Sequence, residues 1–441
     1  MIRAVLPLLA LLAGCAPPRD AGPIAVEVIG QARARPDPDR RPLSAADAVL
    51  LGATAQGLVR FDQDGEIAPG LATRWDVSDD GLYYTFRLAG GAERAARRLR
   101  AVLGARANRI QPLLGAVRDV VAVTPEVIEI ALAAPRPHLL ELLAQPELVV
   151  PGAGGPMTRR GGLLRPAGET DGPVIRLSVV RRTALAVARF RSGRADVVLG
   201  GGFGDLPVAR AADPPPGSLR LDPVAGLFGL AVVRPTGVLA SADGRRALSL
   251  AIDRAGIVAR LGATGQGAAA SIAGPGAEEA ALAQRQAVAR TIVAALGLRD
   301  APPVRIALPD GPGADLLFAL LRRDFAAVGV AAERAAMDER AHLRLVDAVA
   351  PADEPVWQLR LFRCGAAPVC SAAADAAMDA GRVARTLAER EARYAEAAAL
   401  LDGVTAFLPI ATPVRWSLVA PPIAGFASNR RGAHPLDRLR R

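Results

Sequence analysis

Apolar residues along this chain fall into two kinds of pattern, short alternating runs and longer runs at helical spacing. Between residues 57 and 88, three strand-like runs are separated by polar turns. Asp62-Gln63-Asp64-Gly65 follows Phe61, and Ser78-Asp79-Asp80-Gly81 divides Trp75-Asp76-Val77 from Leu82-Tyr83-Tyr84-Thr85-Phe86-Arg87-Leu88. Asp-Gly closes tight turns because Gly accepts positive φ and Asp bonds its own backbone, so this stretch predicts a small antiparallel sheet. A second strand pair is predicted at 120–123 and 127–132, turning at Thr124-Pro125-Glu126. Further strands are predicted at 24–29, 174–180, 196–199, 227–234, 304–309 and 355–362. Helices are predicted at 43–57 (N-capped by Ser44), 92–107, 135–144, 184–194, 239–260, 278–296, 313–328 and 387–402. In 239–260, apolar residues at 247, 248, 251, 252, 255 and 258 mark one buried face. Strands alternating with helices imply a parallel α/β sheet. The Arg- and Pro-rich 31–42 and the Gly-rich 149–162 read as loops.

The chain has 441 residues, 51% of them hydrophobic, enough for two or three domains with substantial cores. Aromatics make up only 4%, too few for extended stacking on sugars or bases. The net charge is +10, and all 54 basic residues are Arg. They are scattered, without a basic run or interleaved aromatics, so no nucleic-acid partner is expected. Residues 1–15 have the form of an export signal: Arg3, an apolar run over 4–13, then Leu12-Ala13-Gly14-Cys15. The last four match a lipobox, making Cys15 the expected lipidation site; an ordinary signal peptide with an incidental Cys is the alternative. The run is too short to span a bilayer, so the mature protein is expected outside the cytoplasm, tethered by lipid. In that setting Cys364 and Cys370, six apart, are expected to form a disulfide, the alternative being a metal site. His138, His342 and His434 are far apart and show no ligand spacing, so no metal or other cofactor is expected.

Catalytic motifs are lacking. There is no Gly-x-Ser-x-Gly elbow, no His-Glu-x-x-His and no Cys with a neighbouring His. Gly200-Gly201-Gly202-Phe203-Gly204-Asp205 follows a strand but carries neither a Walker Lys-Ser/Thr nor dinucleotide spacing. A glycine-rich strand end does suit close backbone approach to a ligand. A periplasmic hydrolase would need a triad built from three His.

Three stretches resemble the family 5 extracellular solute-binding proteins, which serve ABC importers of peptides, nickel and related solutes. The first carries Gly57, Leu58, Val59, Phe61, Asp62, Gly65, Pro69, Leu71, Ala72, Trp75, Ser78, Asp80, Gly81, Tyr84, Phe86 and Leu88 in the family's order. The second is Leu239, Asp243, Arg245, Ala247, Leu248, Ala251, Ile252, Asp253, Arg254, Ile257 and Val258. The third is the C-terminal FLPIATPVRWSLVAPPIAGFASNRRGAHPLDRL. The segment before residue 92 is shorter than in the family, and the family's crossing loop is reduced to Gly154-Gly155-Pro156-Met157.

The resemblance implies an α/β, type II periplasmic-binding-protein architecture of two lobes with a cleft and a small additional domain. Lobe I would comprise 22–41, 152–235 and 404–441, the small domain 42–151, and lobe II 236–403. It implies a non-enzymatic, monomeric component that captures a small, peptide-like solute and delivers it to inner-membrane permease subunits. A sensor or scaffold with the same fold is the alternative. The expected ligand-binding residues are Gly202 and Phe203 at the glycine-rich strand end, Trp357 and Trp416 as aromatic walls, and Arg360 or Arg363 for a carboxylate. Trp357 and Trp416 equally fit a core role. Asp353, ahead of Pro355 and Trp357, stands roughly where peptide-binding members hold an α-amino group.

Overall fold

The computed structural model describes residues 22–33, 35–168, 172–262, 267–273, 280–297 and 302–441. The export segment and Cys15 lie outside the described residues.

The first lobe is built on a seven-stranded sheet in the order Leu219–Leu221, Arg415–Val419, Val197–Gly202, Ile24–Ile29, Ile175–Val180, Leu163–Pro166, Met157–Arg160. Ile24–Ile29 is parallel to both Ile175–Val180 and Val197–Gly202. All six of its residues are buried, as befits a central strand covered on both faces. Glu27 is tolerated there because Arg189 reaches it at 2.9 Å. The Gly-rich 149–162, read as a loop, contributes an edge strand instead. Met157–Arg160 pairs with Leu163–Pro166 through Gly161 (φ 55°) and Gly162 (φ 80°). Both turn residues need positive φ, the requirement of the two-residue hairpin turn that matches strand twist.

The second lobe holds a five-stranded sheet ordered Ala332–Ala335, Val304–Ala307, Leu343–Val349, Gly226–Val232, Phe407–Ala411. Here the expected boundaries need correction. Gly226–Val232 and Phe407–Ala411, assigned to lobe I by sequence, pair in the lobe II sheet. The chain therefore crosses between lobes after Leu221 and again before Arg415. The crossings lie side by side, with Asp222 N–H donating to Arg415 O at 3.0 Å. Gly226 (φ 157°) is required at the first: a Cβ there would meet Ala348 O at 2.0 Å.

Helix Ala45–Thr54 was expected in the small domain, but its Ala46 and Ala53 pack in the lobe I core with Ile24, Val26 and Met157. Ser44 caps it as expected, with Asp47 closing a reciprocal capping box. The small domain itself is a four-stranded antiparallel sheet, Ala72–Val77, Tyr83–Leu88, Val127–Leu132, Val117–Thr124. Helix Ala92–Gly104 buries Ala92, Ala95, Ala96, Leu99 and Val102 against it. A two-stranded ribbon, Val59–Phe61 with Ile67–Pro69, links this domain to the lobes.

A second correction concerns 355–362, predicted as a strand. It forms helix Val356–Leu359 followed by a 3-10 turn, Arg360–Phe362. Its alternation was accidental, because Trp357, Leu359 and Phe362 all enter one core. Cys364 and Cys370 are joined by a disulfide at the start of helix Ala372–Val383.

Candidate functional site

Three structural units meet around a cavity of about 400 Å³. Lobe I supplies the end of Val197–Gly202, the Ala45, Ala48, Val49 and Gly52 face of the capped helix, and Arg415, Trp416 and Ser417. The ribbon supplies Val59, Arg60 and Phe61, lobe II supplies Asp347 and Val349, and the C-terminal segment closes the wall with 431–436.

The glycine-rich strand end is shaped by Trp416. Its indole Nε1 donates to Gly202 O at 2.9 Å, and its ring lies where a Cβ on Gly201 would sit, 2.2 Å away. Gly201 is therefore small because the ring crosses it, while Gly202 lines the cavity. Trp416 is 1% exposed, so it is core and cavity wall together.

The other expected ligand residues lie elsewhere. Phe203, 3% exposed, stands edge-on to Phe228 at 4.9 Å in the core joining the lobes. Trp357, 8% exposed, packs in the lobe II core. Arg360 donates to Arg109 O at 3.5 Å; burial and then the charge of Arg109 hold its pKa below the usual value. Arg363 is bound at both ends of its guanidinium by Asp379, at 3.0 and 2.8 Å. None of these four lines the cavity. Asp353 is also engaged: Arg431 grips both its oxygens at 3.1 and 3.0 Å. The disulfide loop contributes nothing to the wall.

Residues that sequence reasoning passed over make the polar wall, and they come in pairs. Arg60 meets Asp437 at 2.9 Å, Arg109 meets Glu147 at 2.9 Å, and Arg415 meets Asp347 at 2.8 Å. Burial pushes Asp347 above the ordinary carboxyl value, opposed by the charge and hydrogen bond of Arg415. Arg431, 9% exposed, binds Glu141 at 3.0 Å as well as Asp353, and lies over the Phe61 ring at 5.7 Å. Asp222 takes His434 Nε2 at 3.1 Å and the Asn429 N–H at 3.2 Å. The His434 ring stacks on Phe426, 4.4 Å between centroids. His434, Arg431 and Arg415 all fall within the C-terminal stretch that carries the third resemblance, the one signal that pointed toward them.

Among the described residues no group of His, Cys, Asp and Glu could hold a metal ion, and no described helix is long and apolar enough to cross a membrane.

The fold has known counterparts. The chain resembles, along 95% of its length, OppA of Haemophilus influenzae complexed with RPPGFSPFR (16% identity, 98% of that chain, TM-score 0.78). The same share matches the Escherichia coli murein tripeptide binding protein MppA (17%, 98%, 0.79) and NikZ of Campylobacter jejuni in complex with Ni(L-His) (17%, 99%, 0.75). No family model and no curated protein matches the sequence. At such identities the likeness is one of fold: two α/β lobes of the type II periplasmic-binding-protein kind with an additional domain. Within that class the fold is the one shared by peptide- and nickel-type solute-binding proteins of family 5.

Proposed function

We propose that the protein captures a small, peptide-like solute in the cavity between its lobes and hands it to an ABC permease. The carrying observation is the cavity itself: about 400 Å³, bounded by both lobes and the ribbon. That volume lies toward the lower end of the range for small-molecule sites. Structural neighbours holding a peptide, a murein tripeptide or nickel with histidine support solute binding as the use of this fold. The sequence of residues 1–15 supports export and a lipid anchor at Cys15. The side-by-side crossings near Asp222 and Arg415 suit a hinge, and closure follows when the solute makes contacts available only in the closed state. In this reading the protein is a monomeric, non-enzymatic carrier of the cell envelope.

A thermal-shift screen of the purified mature chain tests this reading. Its panel holds di- and tripeptides, capped and cyclic dipeptides, opines, metallophores and sugars. A ligand at 100 times its Kd adds about 2.7 kcal/mol of stability, a readily measured rise in Tm. No shift with any member would turn the reading toward a sensor or scaffold that uses the fold without a solute.

A further inference from the structure

Every charged side chain of the cavity wall already has a partner of opposite charge or a histidine. Arg60 is met by Asp437, Arg109 by Glu147, Arg415 by Asp347, Arg431 by Glu141 and Asp353, and Asp222 by His434. An entering ammonium or carboxylate would have to break one of these pairs or be desolvated beside them. Either outcome penalises a charged solute, because a charge leaving water needs a dedicated counter-charge and full hydrogen bonding. The rest of the wall is glycine and apolar side chains, among them Ala48, Val49, Val59, Phe61 and Val349, with the uncharged polar Gln56, Gln145 and Ser417.

One buried polar atom of the wall stands apart. His434 is 9% exposed, its Nε2 edge is held by Asp222, and one face is covered by Phe426. Its Nδ1 is buried and has no hydrogen-bond partner among the described residues. A buried ring nitrogen left unpaired is costly, and a solute that displaces the side chains covering it would supply its partner. Nδ1 accepts or donates according to the tautomer, and an amide group offers both an N–H and a C=O.

We infer that the cavity selects solutes without net-charged ends, an apolar body carrying an amide that bonds His434 Nδ1, as in cyclic or doubly capped dipeptides. The inference rests on the solute-binding reading and narrows its substrate class away from free zwitterionic peptides. Within it, His434 sets specificity, and Asp222 orients the ring through Nε2.

The test is titration calorimetry of the mature chain with three probes of the same apolar side chains: a cyclic dipeptide, an N-acetyl dipeptide amide and the linear zwitterionic dipeptide. The expected result is at least tenfold tighter binding of one or both neutral probes. Equal or tighter binding of the linear form overturns the inference and leaves the solute-binding reading standing. Failure of all three, together with a silent thermal-shift panel, removes both.

Two variants probe the histidine. His434→Gln keeps a polar group at the Nε2 position, facing Asp222, and removes Nδ1. It should melt within a few degrees of the parent and lose tenfold or more in affinity for the neutral probe. His434→Asn keeps a polar group near the Nδ1 position and should recover part of that loss. Unchanged affinity in His434→Gln excludes the assigned role of Nδ1.

Discussion

At the scale of single residues, an aromatic side chain carries no label in the sequence that separates core from cavity. Phe203 follows a glycine-rich strand end and Trp357 lies two residues after Pro355, yet both are buried away from the cavity. Trp416 serves both roles, and this has a measurable consequence. Trp416→Ala should cost about 3–5 kcal/mol, the range for deleting a large buried aromatic. It removes the ring beneath Gly201 and the bond to Gly202 O. Chemical denaturation should therefore show a large fall in midpoint before any ligand is added. A variant that melts like the parent would place the ring outside the core.

At the scale of elements, local signals were legible where they were covalent or nearly so. Ser44 capped its helix, Asp80 and Gly81 (φ 66°) closed the expected turn, and the paired strands around residues 124–127 formed. Residues 355–362 misled because a short apolar run fits either period, and only the core it enters decides. The disulfide at Cys364 and Cys370 is likewise an element-scale device. It closes a short loop already held by Asp375, which accepts the Cys364 N–H at 3.1 Å, and by the Arg363–Asp379 pair next to it. Replacing both cysteines by Ser should cost only about 2 kcal/mol in the loop-entropy picture. Mass spectrometry of the unreduced protein should show the two linked, and denaturation of the double variant checks the size of the effect.

At the scale of the whole molecule, one junction ties all three units. Glu141 of the small domain bonds His138 Nδ1 at 3.1 Å, accepts the Asp353 N–H at 2.7 Å, and pairs with Arg431 at 3.0 Å. The hydrogen bond to Glu141 raises the His138 pKa above its ordinary 6.5 against the effect of burial, with the charges of Glu141, Glu354 and Asp353 adding to the rise. Burial alone would raise Glu141, but His138, the Asp353 N–H and Arg431 outweigh it and bring it below 4.5. A raised histidine adds stability that is complete below its unfolded value and lost as pH rises through the folded one. A lowered carboxylate adds stability present above its unfolded value and lost as pH falls through the folded one. The junction is therefore strongest between about pH 4.5 and 6.5. Unfolding measured at pH 6 and pH 8 should show the parent losing stability at the higher pH, and His138→Gln should abolish that component.

The sequence by itself determined many of the helices and strands and the strand–helix alternation that makes two α/β lobes. Those features follow from interactions within a few residues: caps, turn glycines and the spacing of apolar side chains. The tertiary structure alone decided that Gly226–Val232 and Phe407–Ala411 join the second sheet, because strand partners lie more than a hundred residues away. It alone also brought Asp222 to His434, 212 positions apart, and Asp347 to Arg415, 68 apart. A charge reads as exposed in a sequence until its partner is known. Here the pairing of every charge in the wall, and the ring nitrogen of His434 left over, arise only when the two lobes and the C-terminal segment close around the same space.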